Sequence, residues 1–360
     1  MISIANPELS EAAMTRVREV MDSGMIADGP EVREFEAEFA EFCGTDHGVA
    51  AANGTAALQT ALVAAGIGDG DTVLTTPFSF VASANAARLC GADVVFADID
   101  PRTYNLGPDS AAAVARETDI DAIIAVHLYG LPADMDGLRA VADEHDAVLI
   151  EDAAQAHGAV YDGTRVGALG DVACFSFYPT KNMTTAEGGM VTTDDADIAE
   201  GARRFVNHGR TESYEHAEVG HNLRMTSIGA VIGQEQLSRL PDFNERRRHN
   251  ASRLTEGLEG TAFETPTEPD DCRHVYHQYT IRADDREAVQ SYLENHDIGS
   301  GVYYPTCIHD QPAYDGHEGT YPNAEKAAEE VLSLPVHPNV SEADIERIIE
   351  VLDDYNDNNE

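Results

Sequence analysis

Three segments of the chain carry side chains that could bind a phosphorylated cofactor and react with it. Gly54-Thr55-Ala56 opens a predicted helix just after a predicted strand, and the free N–H groups of a helix N-terminus bind phosphate. Asp152 ends the apolar run Val148–Glu151, where a carboxylate can keep the ring nitrogen of a pyridine cofactor protonated. Lys181 follows a second apolar run, Cys174–Phe177, and a desolvated Lys amine can form an imine. This order is the one that a pyridoxal phosphate enzyme needs.

Each segment also has an ordinary structural explanation. Asp and Asn are common helix N-caps, so Asp152 and Asn53 could serve only to start helices. Lys181 could equally be a solvated surface residue. These alternatives stay open for each segment taken alone.

The composition favours a special role for Lys181. Of the 23 Lys and Arg residues, only Lys181 and Lys326 are lysines. A chain that prefers Arg at solvent positions keeps Lys where Arg cannot serve, because a guanidinium stays protonated and forms no imine. Lys326 falls in an amphipathic helix between acidic residues and is expected to be solvated.

The chain is strongly acidic. Its 360 residues include 65 Asp and Glu, which gives a formal net charge of −42. The acidic residues are spread along the chain, as expected of a protein that is kept soluble at high salt. At 1 M salt the Debye length is ~3 Å, so repulsion between the acidic side chains costs little free energy. We therefore predict a halophilic, cytoplasmic protein. Lys and Arg contacts drive binding to nucleic acids and anionic membranes, so the charge argues against both as partners.

Cysteine and histidine spacing predicts neither disulfides nor a metal site. The five cysteines are odd in number and form no C-x-x-C motif, so we expect buried, reduced thiols. No cluster of His, Cys and acidic residues has a recognisable metal spacing. No apolar run approaches the ~18 residues of a membrane span, and the N-terminus lacks the features of a signal peptide.

The elements that must position these residues alternate along the first two thirds of the chain. Short apolar runs at 48–52, 72–76, 93–97, 120–126 and 148–151 are separated by helical patterns such as 56–65, 79–89 and 135–144. This alternation predicts an α/β fold with a mostly parallel central sheet. Because the strands are almost continuously apolar, we expect helices to flank both faces.

The regular alternation ends near residue 237. Pro241 is predicted to end one helix, and a separate helix is predicted at Glu245–Leu258. An alternating strand is predicted at His274–Arg282, followed by further helices. We predict a large cofactor-binding domain over 1–238, a small C-terminal α+β domain over 239–360, and an N-terminal helix that packs on the small domain.

Long stretches of the sequence match one known family. They include NGTAALQTAL at 53–62, PFSFVASANA at 77–86, IEDAAQAHGAVYDG at 150–163, GDVACFSFYPTKNMTTAEGGMV at 170–191, GHNLRM at 220–225 and YYPTCIHDQPAY at 303–314. On these residues the chain resembles the DegT/StrS family of sugar aminotransferases. The resemblance covers nearly the whole chain and implies the aspartate aminotransferase fold, which is pyridoxal phosphate fold type I.

The resemblance implies a role for each matching residue. Lys181 would hold pyridoxal phosphate through its amine and later move protons, while Asp152 would keep the ring nitrogen protonated. The remaining cofactor contacts would be Gln155 at the O3′ side, Phe80 on the ring face, and Gly54, Thr55, Ala56 and Ser176 at the phosphate. Asn222 would reach the phosphate of a second copy, which implies a homodimer with shared active sites. The candidate substrate residues are His309, Tyr304, Arg210 and Arg224.

Three positions depart from the family pattern. Asn53 stands where Ser or Thr is usual, Ala186 where Gly is common, and Cys307 where Pro is usual. None of these changes removes a catalytic group. In the dehydratase branch of the family His replaces the reactive Lys, so the presence of Lys181 favours transamination.

The predicted activity is transfer of an amino group from an amino acid, glutamate or glutamine, to a nucleotide-linked keto-sugar in amino-sugar and polysaccharide biosynthesis. The alternative is a regulatory or sensor protein of the same family that binds pyridoxal phosphate without turnover. A nicotinamide-dependent sugar oxidoreductase is disfavoured, because no G-x-G-x-x-G follows the first strand. The nucleotide and the sugar stay open.

Overall fold

Helices and strands alternate through this computed structural model, which describes residues 1–212, 214–317 and 319–359, with side chains to residue 356. The helices are α1 (Glu11–Ser23), α2 (Pro30–Cys43), α3 (Gly54–Ala64), α4 (Ala82–Cys90), α5 (Pro108–Ala115), α6 (Met135–His145), α7 (Ala196–Phe205), α8 (Ser227–Gly257), α9 (Arg286–Asn295), α10 (Pro322–Glu330) and α11 (Glu342–Asn359). The strands are β1 (His47–Ala51), β2 (Thr72–Thr75), β3 (Asp93–Phe96), β4 (Ala122–Val126), β5 (Val148–Asp152), β6 (Val160–Tyr161), β7 (Thr164–Arg165), β8 (Val172–Ser176), β9 (Gly189–Thr193), β10 (Arg210–Glu212), β11 (Glu215–His216), β12 (Cys272–Arg273), β13 (Tyr279–Arg282) and β14 (Val331–Leu334).

A seven-stranded sheet, in the order β1-β9-β8-β5-β4-β2-β3, organises the first part of the molecule. The neighbouring pairs from β8 to β3 are parallel. Only β9 runs against its neighbours β8 and β1. Parallel neighbours need crossover connections, and helices such as α4 and α6 provide them. The predicted mostly parallel sheet is confirmed.

Helices cover both faces of this sheet. All five residues of β4 are buried, as expected of a strand with apolar neighbours above and below. One apolar cluster joins α3 and α4 to the sheet and includes Leu62 and Phe78. A second joins α2 and α8 and includes Phe35 and Phe39. Burying a side chain of this size contributes about 1.5–3 kcal/mol, so the two layers hold the strand ends in fixed positions.

Helix α8 corrects one prediction. Pro241 does not end a helix but lies inside a single helix of 31 residues. An interior Pro costs about 3 kcal/mol locally. The helix buries Leu237 and Leu240 in the α2–α8 cluster and Leu254 in the C-terminal cluster, so tertiary packing outweighs the local preference. The predicted domain division at 238/239 falls within this helix, and the division itself stays a prediction.

The C-terminal part has its own apolar cluster. Strands β13 and β14 pair antiparallel, and α8, α9 and α11 pack around them. The predicted strand at 274–282 is therefore observed in its second half. The N-terminal segment joins this part, because Ile2 forms a parallel bridge with Ile298, while α1 lies against α8.

None of the helices in the described ranges combines the length and the apolar character that a membrane crossing requires. All five cysteines are free thiols, but the prediction that they are buried holds for Cys43, Cys174 and Cys307 and is wrong for Cys90 and Cys272, which are partly exposed.

Candidate active site

A cavity of about 850 Å³ lies where strands β5 and β8 end. The carboxyl ends of parallel strands are the usual ligand site of open α/β sheets. Eight predicted cofactor residues and one predicted substrate residue line this cavity, namely Gly54, Thr55, Ala56, Phe80, Asp152, Gln155, Ser176, Lys181 and Tyr304. Residues far apart in the sequence thus share one space.

The first wall of the cavity is the N-terminus of α3. Asn53 is its N-cap and accepts a hydrogen bond from the N–H of Ala56 at 2.9 Å, so Asn performs the capping role here. Gly54 and Thr55 are the first residues of the helix, and their N–H groups have no intrahelical partner. A Cβ on Gly54 would lie 2.7 Å from the Cβ of Ser176, so only glycine allows this close approach. The result is a cradle of N–H groups and hydroxyls that suits a phosphate.

Asp152 lines another part of the cavity. Its Oδ2 accepts a hydrogen bond from the Ser83 hydroxyl at 2.7 Å, and its Oδ1 accepts one from the N–H of Ala154 at 3.2 Å. These bonds fix the carboxylate at the end of β5. Ser83 was missed by the sequence analysis, although it follows Phe80 by three residues in a stretch that matches the family.

Lys181 has the surroundings of a reactive amine. Burial lowers the pKa of Lys181 to about 8, although the negative charge of Asp152 acts in the opposite direction. Two buried histidines lie close by, and burial together with the charge of Lys181 lowers the pKa of His157 to about 3 and also lowers that of His277. Both rings are therefore neutral near pH 7. More of the Lys181 amine is unprotonated at neutral pH than for a solvated Lys.

Aromatic and amide side chains complete the cavity. Gln155 accepts a hydrogen bond from the N–H of Tyr129 at 2.6 Å and donates one to the Tyr304 hydroxyl at 3.1 Å. The Phe80 ring is 56% exposed and lies 6.1 Å from that of Tyr304. An exposed ring on a cavity wall offers an apolar face to a flat ligand. Tyr303 and His277 also line the cavity and were not predicted.

Four predicted residues lie outside this cavity. Asn222 forms an isolated bridge with Asn207. Arg210 and Arg224 line a separate cavity of about 240 Å³, where Arg224 donates a hydrogen bond to Asn207. His309 is buried beside Glu325. Within one chain, therefore, Tyr304 is the predicted substrate residue that reaches the cavity.

Glu151, the residue before Asp152, faces away from the site, because successive side chains on a strand point to opposite faces of the sheet. Glu151 is completely buried and accepts hydrogen bonds from the N–H groups of Gly167, Leu169 and Gly170 at 2.8–2.9 Å. His127 lies 3.0 Å from its Oε2. The other ring nitrogen of His127 accepts the N–H of Ala133, so the proton lies on Nε2 and points at Glu151.

Comparison with known proteins places these features in one family. The model of the DegT/DnrJ/EryC1/StrS aminotransferase family matches residues 7–353. The relatives include a "pleiotropic regulatory protein" of Geobacillus stearothermophilus, 42% identical over 97% of this chain and 95% of that protein. A UDP-N-acetyl-3-dehydro-alpha-D-glucosamine 3-aminotransferase of Acidithiobacillus ferrooxidans is 41% identical over 96% and 94%. The GDP-perosamine synthase of Caulobacter vibrioides is 41% identical over 98% and 97%.

Solved structures agree with this result. A DegT DnrJ EryC1 StrS aminotransferase from Brucella abortus has a TM-score of 0.92 and 36% identity, covering 96% of this chain and 95% of that one. A Streptococcus pneumoniae protein in its PLP-form has a TM-score of 0.93 and 28% identity, covering 99% of each chain. The predicted fold class, pyridoxal phosphate fold type I, is confirmed by these structures.

Proposed function

The chain belongs to the DegT/DnrJ/EryC1/StrS aminotransferase family, and from that premise we propose that it transfers an amino group from glutamate or glutamine to a nucleotide-linked keto-sugar. The observation that carries the proposal is that Lys181, Asp152 and the N-terminus of α3 line one cavity. Two relatives of 41% identity are named for UDP- and GDP-linked sugars, which supports this substrate class and leaves the nucleotide open.

Pyridoxal phosphate is the cofactor of this family, and the cavity fits it. The amine of Lys181 and the carboxylate of Asp152 face the same space as the cradle at Gly54, where a Cβ would meet Ser176. When bound, the cofactor supplies an electron sink that stabilises negative charge on the reacting carbon. We assign the phosphate to Gly54, Thr55, Ala56 and Ser176, the ring nitrogen to Asp152, the O3′ side to Gln155, and the ring face to Phe80.

Lys181 has two tasks in this proposal. Its amine anchors the cofactor, and once the amine is free it takes the proton from the amino-bearing carbon of the donor. In the second half-reaction it returns a proton to the former keto carbon of the sugar. A base works best when its pKa lies near the working pH, and the pKa of about 8 meets this condition. Asp152 holds the ring nitrogen protonated.

We also propose that the active unit is a homodimer. Tyr178 is an exposed aromatic residue at the cavity, and its exposed ring suits contact with a second copy. Asn222 lies outside the cavity of its own chain, so a role at the phosphate requires Asn222 of the partner subunit. Arg210 and Arg224, as ligands of the sugar-linked diphosphate, would act across the same interface.

Mixing two inactive variants tests the shared site. Lys181→Ala and Asn222→Ala chains are combined under conditions that exchange subunits. A mixed dimer contains one site with both natural residues, so activity should rise above that of either variant alone. If the mixture stays as inactive as its parents while subunits exchange, Asn222 does not serve the site of the second copy.

A halophilic cytoplasm is the proposed setting. A charge of −42 repels itself unless salt screens it. We expect the free energy of unfolding to increase as KCl rises from about 0.1 M to about 1 M, over which the Debye length shortens from ~10 to ~3 Å. A stability that is constant or falls over this range would contradict this setting.

A screen of nucleotide keto-sugars tests the activity. The cofactor-loaded protein is incubated with glutamate and UDP-, dTDP- or GDP-linked keto-sugars, and the amino-sugar product is detected by mass. We expect many product molecules per chain with at least one of these substrates. Failure with every substrate, together with no conversion of the cofactor to its amine form by glutamate or glutamine, would refute the proposal.

A second function is supported by the name of the Geobacillus relative. A regulator of this kind would load the cofactor on Lys181 but produce no amino-sugar over repeated turnovers. The same screen therefore separates the two functions.

A further inference from the structure

A second, smaller cavity also touches the reactive lysine. Its volume is about 40 Å³, and Thr180 and Lys181 line both this cavity and the larger one. Its other walls come from the N-terminal residues 5–8, from helix α8 and from residues 337–339. The loop that carries Lys181 therefore borders two cavities, of which the smaller is called the small cavity below.

Three buried side chains that line the small cavity each keep one polar atom without a hydrogen-bond partner among the described residues. These atoms are the Oδ1 of Asn182, the Nε of Arg247 and the Nδ1 of His337. The three residues are only 3%, 6% and 5% exposed. A polar atom that loses its bonds to water on burial destabilises the fold unless another group pairs with it. Three such atoms on residues that share one small cavity indicate a bound molecule.

Asn182 offers this molecule an acceptor and Arg247 offers it a donor. The amide NH₂ of Asn182 donates to the Oδ1 of Asn244 at 2.9 Å and to the carbonyl oxygen of Val275 at 3.0 Å. Because both partners are acceptors, the orientation of the amide is fixed and its free Oδ1 can only accept. A guanidinium has no acceptor atom, so the Nε of Arg247 can only donate.

His337 offers a second acceptor. Its Nε2 lies 3.1 Å from the carbonyl oxygen of Ser3, which can only accept, so Nε2 carries the proton. Burial lowers the pKa of His337, so the ring is neutral near pH 7 and its Nδ1 is unprotonated. The three free atoms are thus two acceptors and one donor.

A water molecule matches this set, because it can donate two hydrogen bonds while it accepts one. Buried waters typically make about three hydrogen bonds, and a cavity of about 10–15 Å³ is large enough for one, so about 40 Å³ gives room. A small anion is the alternative, because Arg247 is a buried cation. An anion would face the lone pairs of Asn182 and His337, and Glu8 lines the same cavity, so the observations favour water.

We propose that the small cavity binds a water molecule that accepts a hydrogen bond from Arg247 and donates to Asn182 and His337. The water connects the loop after Lys181 to helix α8 and, through the bond of His337 to Ser3, to the N-terminal segment. Asn182 directly follows Lys181, so the bound water positions the reactive amine. This positioning role rests on the proposed function, whereas the water site does not.

Diffraction tests the site. Crystals of the full-length, cofactor-loaded chain are measured at high resolution, and a second set is soaked in bromide. We expect a density peak at about 2.7–3.2 Å from all three free atoms in the unsoaked crystals, and no anomalous bromide signal in the small cavity. A bromide signal there, or the lack of a peak within this distance of the three atoms, would overturn the proposal.

A substitution of His337 tests the positioning role. His337→Gln can keep a donor to Ser3, because the Gln amide nitrogen reaches the place of Nε2, but it lacks the Nδ1 acceptor. The maximal rate at which the cofactor-free chain bonds covalently to pyridoxal phosphate should fall about 10–100-fold, since a displacement of about 1 Å can slow a reaction about 100-fold. The half-saturating cofactor concentration should not change, because the proposed phosphate contacts line the larger cavity.

His249→Gln is the matched control, because the His249 side chain lies on α8 and is 51% exposed. It should keep both the water and the rate. An unchanged maximal rate in folded His337→Gln, or an equal loss in His249→Gln, would contradict the positioning role. Lys181→Ala tests the proposed function by itself and the density peak tests the water site by itself, so the two can fail separately.

Discussion

The two carboxylates at the end of strand β5 lie on opposite faces of the sheet and have opposite surroundings. Glu151 is enclosed and saturated by His127 and three backbone N–H groups. Its burial acts to raise the pKa of Glu151, but these hydrogen bonds lower it overall. Asp152 faces the cavity, where it accepts bonds from Ser83 and Ala154 and lies near the Lys181 amine. A buried carboxylate whose oxygens all have hydrogen-bond partners holds loops together. A carboxylate with fewer hydrogen-bond partners can still bind a ligand.

The largest expected effect is at Lys181. Lys181→Ala should lower transaminase activity more than about 10⁴-fold, because it removes both the cofactor anchor and a proton transfer that alone contributes about 10²–10⁴-fold. Lys181→Arg should be equally inactive, since a guanidinium forms no imine. The measurement is kcat with the best keto-sugar and the absorbance of the covalently held cofactor.

Lys326 provides the matched control. It is 62% exposed on α10 and lies 3.6 Å from Glu330, so Lys326→Ala should leave activity unchanged. A Lys181→Ala protein that kept the spectrum of the covalently held cofactor would remove Lys181 from its assigned role.

The next largest expected effect is on the free energy of unfolding, and it concerns the buried carboxylate of Glu151. Glu151→Ala should lower the free energy of unfolding by about 3–5 kcal/mol, because it leaves the partners of a buried charged group unpaired. Denaturant unfolding provides the measurement. The Asp152→Ala variant is the comparison, and its free energy of unfolding should fall much less. Equal losses in the two variants would contradict the distinction drawn between the two faces.

The pH dependence sharpens the same test. Because the folded-state pKa of Glu151 is lowered, its stabilisation is present above the usual pKa of a Glu carboxyl and is lost as pH falls through the lowered value. The stability difference between the natural protein and Glu151→Ala should therefore shrink in acid.

Asp152→Asn should reduce activity while leaving the fold intact. A nearby opposite charge shifts a pKa by about 1–3, so without it the protonated ring nitrogen is about 10–1000-fold less populated and kcat should fall by a similar factor. Unfolding midpoints should match those of the natural protein. An unchanged kcat would mean that the carboxylate charge is not used at the ring.

The reactivity of Lys181 should depend on pH with a midpoint near 8. Only the neutral amine attacks the cofactor carbonyl, so the rate of cofactor reloading by the cofactor-free chain should rise about tenfold per pH unit below the pKa and level off above about pH 8. Stopped-flow absorbance measures this rate. A midpoint near that of a solvated Lys would show that burial does not activate the amine.

The smallest expected effect concerns the loop after Lys181. Ala186 has a φ of +70°, a left-handed conformation that costs a residue with a side chain about 1–2 kcal/mol. Ala186→Gly, which restores the common family residue, should raise the free energy of unfolding by up to about 1 kcal/mol, since glycine also costs entropy. Thermal unfolding measures it. A destabilised Ala186→Gly would mean that the methyl group makes a contact worth more than the strain.

Most of the residues that the sequence analysis assigned to the cofactor line one cavity, and for several of them the reason is local. Gly54, Asp152 and Ser176 each end or follow a recognisable apolar strand, and the ends of parallel strands share one edge of a sheet. Lys181 was indicated by its residue type in a chain almost without lysine. By contrast, the assignment of Arg210, Arg224 and His309 to a substrate site rested on motifs alone, and their side chains lie outside the cavity of their own chain.

By itself, the sequence determined the order of strands and helices, the parallel sheet and the chemical types of the residues at its edge, because hydrophobic periodicity and strand ends are local properties. The tertiary structure decided what depends on distant partners. It determined that α8 continues through Pro241, that Ser83 orients Asp152, and that Glu151 has a hydrogen-bond partner on both carboxylate oxygens. Packing and burial set these contacts and the lowered pKa of Lys181, and both depend on residues far apart in the chain.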